Sequence, residues 1–190
     1  MFAHCDLLSG NVIILPPNSP KSTFPTTNPN PATVHSVSFI DYEYATPSPA
    51  AFDLANHFAE WGGFDCDFRV LPTRSVRRAF LQEYLHSYAS HLSGKSSAKE
   101  PDPEAALEML FSGVDRFRGI PGLYWGIWAL IQATISQIDF DYASYAEVRL
   151  GEYWAWRAAT EGREVTGVGT DVPSVAGTDG RVREERWGEE

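Results

Sequence analysis

The sequence is short of cysteine, of basic charge and of long apolar runs, and each shortage closes off a class of function. Only Cys5 and Cys66 occur among 190 residues. The pair makes neither a metal-ligand spacing nor a disulfide framework. A reduced, intracellular setting is the expectation, with the cytoplasm as the location. Lysine and arginine number 15 against 25 aspartates and glutamates, a net charge of −10. No basic stripe exists to neutralise phosphates, so nucleic acid is not an expected partner. Part of the negative charge belongs to the C-terminal tail, so the body is less acidic than the total implies. The opening MFAHCDLLSG lacks a basic n-region and a long apolar h-region, and no signal peptide is expected. One stretch without charge, from Gly119 to Ile138, is long enough to span a bilayer. Pro121, Gly122, Gly126, Gln132, Thr134, Ser136 and Gln137 suit lipid poorly, so the stretch reads as a buried core helix and no membrane span is expected.

What the chain does have is apolar and aromatic content, 43% and 13%, enough for one domain with a real core. Residues 11–15 (NVIIL) form a short β-branched run, and Val37 to Asp41 alternates and returns beside it. Between them, 16–36 is rich in Pro, Asn, Ser and Thr and reads as a flexible hairpin insertion. The hairpin brings Asn11 and Asp41 together at its base. Helical spacing follows. Phe52, Ala55, Phe58 and Ala59 share one face before Gly62-Gly63, and Asp53 sits in the first turn, where a carboxylate caps free N–H groups. A second helix runs from Thr73 or Ser75 to Leu92, with Val76, Phe80, Tyr84 and Tyr88 as its stripe. Asp102-Pro103-Glu104 is a helix start, and Leu107, Leu110, Phe111, Val114 and Phe117 form that helix's apolar face. The stretch opened by Pro121 is the fourth helix, and one from Tyr142 to Ala158 is the fifth. Beyond it, 159–190 reads as a disordered acidic tail. The expected fold is mainly α with a short β-hairpin.

The chemistry-bearing residues gather early. His4 to Asn11 has the form H-x-D-x-x-x-x-N, and Asp41 closes the second strand. In protein-kinase-like phosphotransferases such an Asp faces the acceptor hydroxyl, the Asn holds magnesium and a second Asp bridges magnesium to phosphate. Asn11 and Asp41 offer the hard oxygen ligands that magnesium prefers, and Asp6 needs only hydrogen-bond reach to the hydroxyl. Equally open on pattern alone is a reading in which Asp6 and Asn11 are turn residues and Asp41 a strand-end cap. His4 is expected to be structural. Cys5 is expected to be silent, because its neighbouring carboxylate raises a thiol pKa. Glu43 falls on the side of Asp41 in an extended chain; a second magnesium, a cationic substrate or plain solvation are open to it. Trp125, Trp128 and Gln132 share a helix face, and Tyr142 and Tyr145 repeat the spacing. Core packing is the plainer account of these rings, and a cage for an ammonium group the sharper one.

HCDLLSGNVII, FIDYEYATPSPAAFDLANHFAEW and WGIWALIQATISQIDFDYASYAEVRLGEYWAW together resemble the C-terminal half of the choline/ethanolamine kinases. The resemblance implies a kinase C-lobe, with the N-lobe absent, over 1–158. It also implies transfer of the γ-phosphoryl of ATP, with Mg2+, to the hydroxyl of ethanolamine or choline, a step toward phosphatidylethanolamine or phosphatidylcholine. By that resemblance Asp6 is the catalytic aspartate, Asn11 and Asp41 are magnesium ligands, and Glu43 lies near metal and substrate. Glu60 is the carboxylate of the amine pocket, Trp125, Trp128, Tyr142 and Tyr145 are its aromatic wall, and Asp53 braces the catalytic loop. Asp6-Leu7-Leu8 is similar to the ethanolamine branch.

The sequence departs from the family at Cys5, where Asn is usual, and in the long insertion, which resembles fungal versions. It also shows no Gly-rich loop and no strand lysine paired with a helix glutamate. The expectation is a kinase half that is inactive alone, as a homodimer or paired with a full-length kinase. A non-catalytic paralogue that binds such a kinase, and an aminoglycoside-type phosphotransferase, are the rival readings.

Overall fold

The computed structural model describes residues 1–15, 36–92, 102–161 and 175–190. Two small antiparallel sheets stand at the start. β1 (Phe2–Ala3) pairs with β4 (Thr46–Pro47), and β2 (Val12–Leu15) pairs with β3 (Ser36–Phe39), Val12 opposite Phe39. The second is the expected hairpin. The first was not legible, because two-residue strands carry no alternation to detect. The insertion at 16–36 lies outside the described residues but for Ser36, as does the polar linker at 93–100.

Among the described residues six α-helices follow: α1 (Ala50–Ala59), α2 (Arg74–Leu92), α3 (Pro103–Phe117), α4 (Ile120–Ile135), α5 (Tyr142–Glu161) and α6 (Val175–Gly188). Asp102 caps α3 through the N–H of Glu104 at 3.1 Å, with Pro103 at the first helical position. The core joins Leu54, Ala55 and Phe58 of α1 to Leu81 of α2, Leu107, Phe111 and Val114 of α3, and Trp187 of α6. Each such fully buried large side chain contributes about 1.5–3 kcal/mol.

Three expectations need correction. The stripe on α2 is offset: Val76, Phe80 and Tyr88 are exposed, while Arg77 and Leu81 are fully buried. Arg77 goes inside because its guanidinium lies 4.0 Å over the Trp187 ring and donates to the carbonyls of Pro72 and Trp187, both at 2.8 Å. Two carbonyls, a π face and the Asp115 carboxylate at 3.9 Å offset much of the burial penalty, although Nε has no hydrogen-bond partner among the described residues. Second, α4 is buried on one side only. Trp125, Gly126 and Ala129 face inward, and Ile127, Ile131 and Ile135 are exposed. Its glycines serve contact with α5, since a Cβ at Gly122 would stand 2.5 Å from the carbonyl oxygen of Arg149. Third, the tail from 159 is not simply disordered: α5 continues to Glu161, and 175–188 is helical, while 162–174 lies outside the described residues. Composition missed α6 because two residues anchor it, Arg183 and Trp187, both buried. Among the described residues no helix is long and apolar enough to cross a membrane.

Candidate functional site

The loop from His4 to Leu8 is held by three polar side chains on one face of α1. Asp53 accepts the backbone N–H of His4 at 3.2 Å and of Cys5 at 2.8 Å. Asn56 donates to the Cys5 carbonyl at 3.0 Å, and His57 donates through Nδ1 to the Leu7 carbonyl at 2.7 Å. Positions 53, 56 and 57 are i, i+3 and i+4, which a helix stacks together. Asp53 therefore braces the loop and does not cap its own helix, whose N-terminus has no side-chain cap. The bracing holds Cys5 in a left-handed conformation at φ 61°. Burial first, and then the Asp53 carboxylate, push the Cys5 thiol upward, so it stays protonated. On the other side, His4 donates through Nε2 to the Ile40 carbonyl at 2.9 Å, its ring centroid 4.7 Å from that of Tyr42.

Asp6 is buried at the centre of this loop. Asn11 donates from Nδ2 to the Asp6 carbonyl at 2.8 Å and to its carboxylate at 3.1 Å. Because both partners are acceptors, the amide orientation is fixed and Asn11 Oδ1 is left as the outward acceptor. Desolvation raises the Asp6 carboxyl to about 6; the negative charge of Glu60 adds to this, while the Asn11 hydrogen bond and His4 oppose it. The Ile40 N–H meets the Asn11 carbonyl at 3.1 Å, which sets Asp41 beside Asn11 as the hairpin predicts. Asp41 is exposed, with a left-handed φ of 64°. That conformation corrects the view of Glu43. The chain is not extended from 41 to 43; a turn closes, with the Ala45 N–H on the Tyr42 carbonyl at 3.0 Å. Glu43 is exposed on this turn. Among the described residues, no three His, Cys, Asp or Glu side chains cluster as a metal site.

The aromatic residues form one connected wall. Trp125 and Trp128 meet edge to face at 5.6 Å, Trp128 meets Tyr142 at 5.7 Å, and Phe140 bridges Tyr142 and Tyr145 at 4.9 and 5.6 Å. Tyr44 packs on Trp125 at 5.3 Å, and its hydroxyl accepts the Trp128 indole N–H at 2.9 Å. The Trp125 indole donates to Asn56 Oδ1 at 2.8 Å. Glu60 sits behind the wall, buried, 3.1 Å from Arg149 Nη2. Burial pushes its carboxyl upward and Arg149 opposes this. The carboxylate expected to meet an amine is thus already paired inside the protein.

Five contributors were not singled out from sequence: Tyr44, Asn56, His57, Phe140 and Arg149. Tyr44, Asn56 and His57 lie inside the quoted FIDYEY and NHF blocks, so their signal was present without a role. Phe140 and Arg149 lie inside the third quoted block, equally without a role, since a lone helix arginine looks solvated until the packing is seen. A cavity of about 320 Å3 between α2, α3 and α5, lined by Arg74, Phe111, Asp115, Arg118 and Trp156 among others, involves none of these residues.

The model of the family described as choline/ethanolamine kinase matches residues 1–154. The chain is 38% identical over 155 residues to a probable ethanolamine kinase of Nematostella vectensis, covering 81% of this chain and 39% of that protein. It is 34% identical to probable ethanolamine kinase A of Dictyostelium discoideum, covering 83% and 38%. A solved ethanolamine kinase of Plasmodium vivax matches with a TM-score of 0.58 at 32% identity, covering 78% of this chain and 32% of that one. The chain spans less than two fifths of the length of these curated relatives.

Proposed function

Because the chain belongs to the choline/ethanolamine kinase family, we propose that it carries the catalytic loop and acceptor pocket of an ethanolamine kinase. The reaction is transfer of the γ-phosphoryl of ATP to the hydroxyl of ethanolamine, with choline the alternative acceptor, in the making of phospholipid precursors; a cytoplasmic setting is part of the proposal. One observation carries this reading. Asn56 holds the Cys5 carbonyl with one end of its amide and the Trp125 indole with the other. The acidic loop and the aromatic wall are therefore one unit, which suits a small molecule with a hydroxyl at one end and an ammonium at the other.

In that unit Asp6, raised to about 6, orients the acceptor hydroxyl and takes its proton near neutral pH. The wall holds the ammonium over its ring faces, contacts worth roughly 0.5–2 kcal/mol each. Glu60 and the Tyr44 hydroxyl supply the hydrogen-bond acceptors that a primary ammonium uses and a quaternary one does not. Asn11 Oδ1 and the Asp41 carboxylate fit magnesium, being hard oxygen donors few enough to leave its remaining positions to water and phosphate. Held there by Asn11 and Asp41, magnesium would supply positive charge against the transferring phosphate. Glu43, exposed on its turn, is a peripheral acidic group.

Phosphoryl transfer depends on positioning of the nucleotide, and the sequence holds no Gly-rich loop or paired strand lysine. The 190-residue chain alone is therefore proposed to bind the amine without turning it over. Calorimetric titration with ethanolamine, and an assay with ATP and magnesium, test this. Saturable binding without turnover is expected. Turnover at ordinary kinase rates of about 1–100 s⁻¹, or no binding of either amine, contradicts it.

A further inference from the structure

Glu60 is the first member of a buried chain of alternating charge that ends on α6. Its Oε1 lies 3.1 Å from Arg149 Nη2, Arg149 Nε lies 2.9 Å from Glu152 Oε1, and Arg183 Nε lies 2.7 Å from Glu152 Oε2. Glu60 is 8% exposed, Arg149 and Glu152 are 1% exposed, and Arg183 is wholly buried. Two buried carboxylates face two buried guanidiniums, and Arg183 is shared with the less buried Glu184, which itself pairs with Arg118 at 2.9 Å. Each ion taken from water costs several kcal/mol unless paired, so the balance is stringent.

The fold brings Arg183 into reach deliberately close. A Cβ at Gly180 would stand 2.7 Å from the Gly151 carbonyl oxygen, so glycine lets α6 settle against α5. The other donors of Arg183 are also engaged. Nη1 meets Glu184 Oε1 at 2.9 Å, Nη2 meets the Arg118 carbonyl, and the guanidinium lies 5.4 Å from the Trp187 ring centroid.

We propose, resting on the amine-site reading above, that Arg183 is a positioning residue for the acceptor site, holding Glu152 so that Arg149 remains on Glu60. It touches no substrate and acts through two intermediates. It also lies beyond the residues 1–154 that match the family, so the anchor is supplied by a helix outside that match.

Remove Arg183 and the whole charge of Glu152 falls on Arg149, leaving two buried carboxylates to compete for one guanidinium. The charged and titratable groups that act on Glu60 or are acted on by it are Arg149, Glu152 and Tyr145 on α5, Cys66 on the turn after the Glu60–Gly62 helix, and Asp6 on the loop. Arg149 is the only cation among them. Glu60 then takes up a proton at a higher pH than before, and its pull on an ammonium weakens.

The test uses the full 190-residue chain carrying carbon-13 at glutamate Cδ, titrated by NMR without ligand, with the Glu60 signal identified by its loss in Glu60→Gln. Arg183→Met raises the Glu60 midpoint by about one pH unit. Arg183→Lys, and the charge-balanced Arg183→Met/Glu152→Gln, stay near wild type. An unchanged midpoint in Arg183→Met, or a double variant no closer to wild type than the single, overturns the proposal. If Arg183→Met does not fold, recovery of fold and midpoint in the double variant supports it, and failure of both assigns Arg183 to packing alone and overturns it. Ethanolamine binding near pH 7 runs beside these titrations, with about tenfold weakening expected in Arg183→Met. A wild-type chain that binds no amine counts against the kinase reading, while the ligand-free titration still decides the role of Arg183.

Discussion

Asn56 and Trp125 share a buried hydrogen bond of 2.8 Å between α1 and α4, and the other end of the Asn56 amide holds the Cys5 carbonyl at 3.0 Å. One fully buried side chain thus sets the distance between the acidic loop and the aromatic wall. Asn56→Ala leaves an indole N–H and a carbonyl unpaired in the interior, at a cost of about 1–3 kcal/mol for each group stranded. Urea denaturation should show that loss, and amine binding should weaken more than stability alone explains. Asn56→Asp tests the polarity: it keeps the acceptor for Trp125 and sets a carboxylate against the Cys5 carbonyl.

Asp53 meets the N–H groups of His4 and Cys5 together. Hydrogen bonds to a charged group contribute about 1.5–3 kcal/mol, so Asp53→Ala should destabilise the chain by at least one such bond. Amide hydrogen exchange at His4 and Cys5 should quicken first. Exchange that is unchanged there would remove Asp53 as the brace.

Asp6 gives a pH signature. Its carboxyl is raised from 3.8 to about 6 in the fold, so the folded state disfavours the charged form. The stability that this group contributes is fully present below pH 3.8 and is lost as pH rises through about 6. Screening by nearby solvent reduces the effect to about 1–2 kcal/mol. Asp6→Asn should flatten the stability profile between pH 4 and 6 relative to wild type, measured as a difference of denaturation midpoints. Parallel profiles would contradict the raised pKa.

Trp187 anchors α6. It is buried, donates its indole N–H to Asp115 at 2.9 Å and lies under the Arg77 guanidinium. Trp187→Ala should cost about 3–5 kcal/mol and expose the Arg77 charge. Thermal denaturation measures it, and a cost below about 1 kcal/mol would mean that α6 is not part of the core.

How much of this was legible follows from the range of the signals. The β2–β3 hairpin, the Asp102 cap and the apolar faces of α1 and α3 were readable because alternation, capping chemistry and helical spacing are local. That Asp6 and Asn11 belong to one loop was readable as a motif, and the structure places them in direct contact. What failed depended on distant partners. The stripe on α2 was misplaced because Arg77 is made burial-competent by Trp187, more than a hundred positions away in the chain. The helix at 175–188 was missed for the same reason. The extended geometry expected from Asp41 to Glu43 failed because a left-handed Asp41 turns the chain, and a left-handed Asp is not distinguishable from an extended one in sequence. The pairing of Glu60 with Arg149 was invisible because a helix arginine is ordinarily solvated.

The central claim is that Asp6, Glu60 and the aromatic wall form one acceptor site. The most direct measurement follows the indole N–H signals of Trp125 and Trp128 by nitrogen-15 NMR as ethanolamine is added to the 190-residue chain. The account predicts that both signals move along one saturable curve and that the curve weakens together in Glu60→Gln and Asp6→Asn. Saturable ethanolamine binding that leaves both indole signals in place would contradict it.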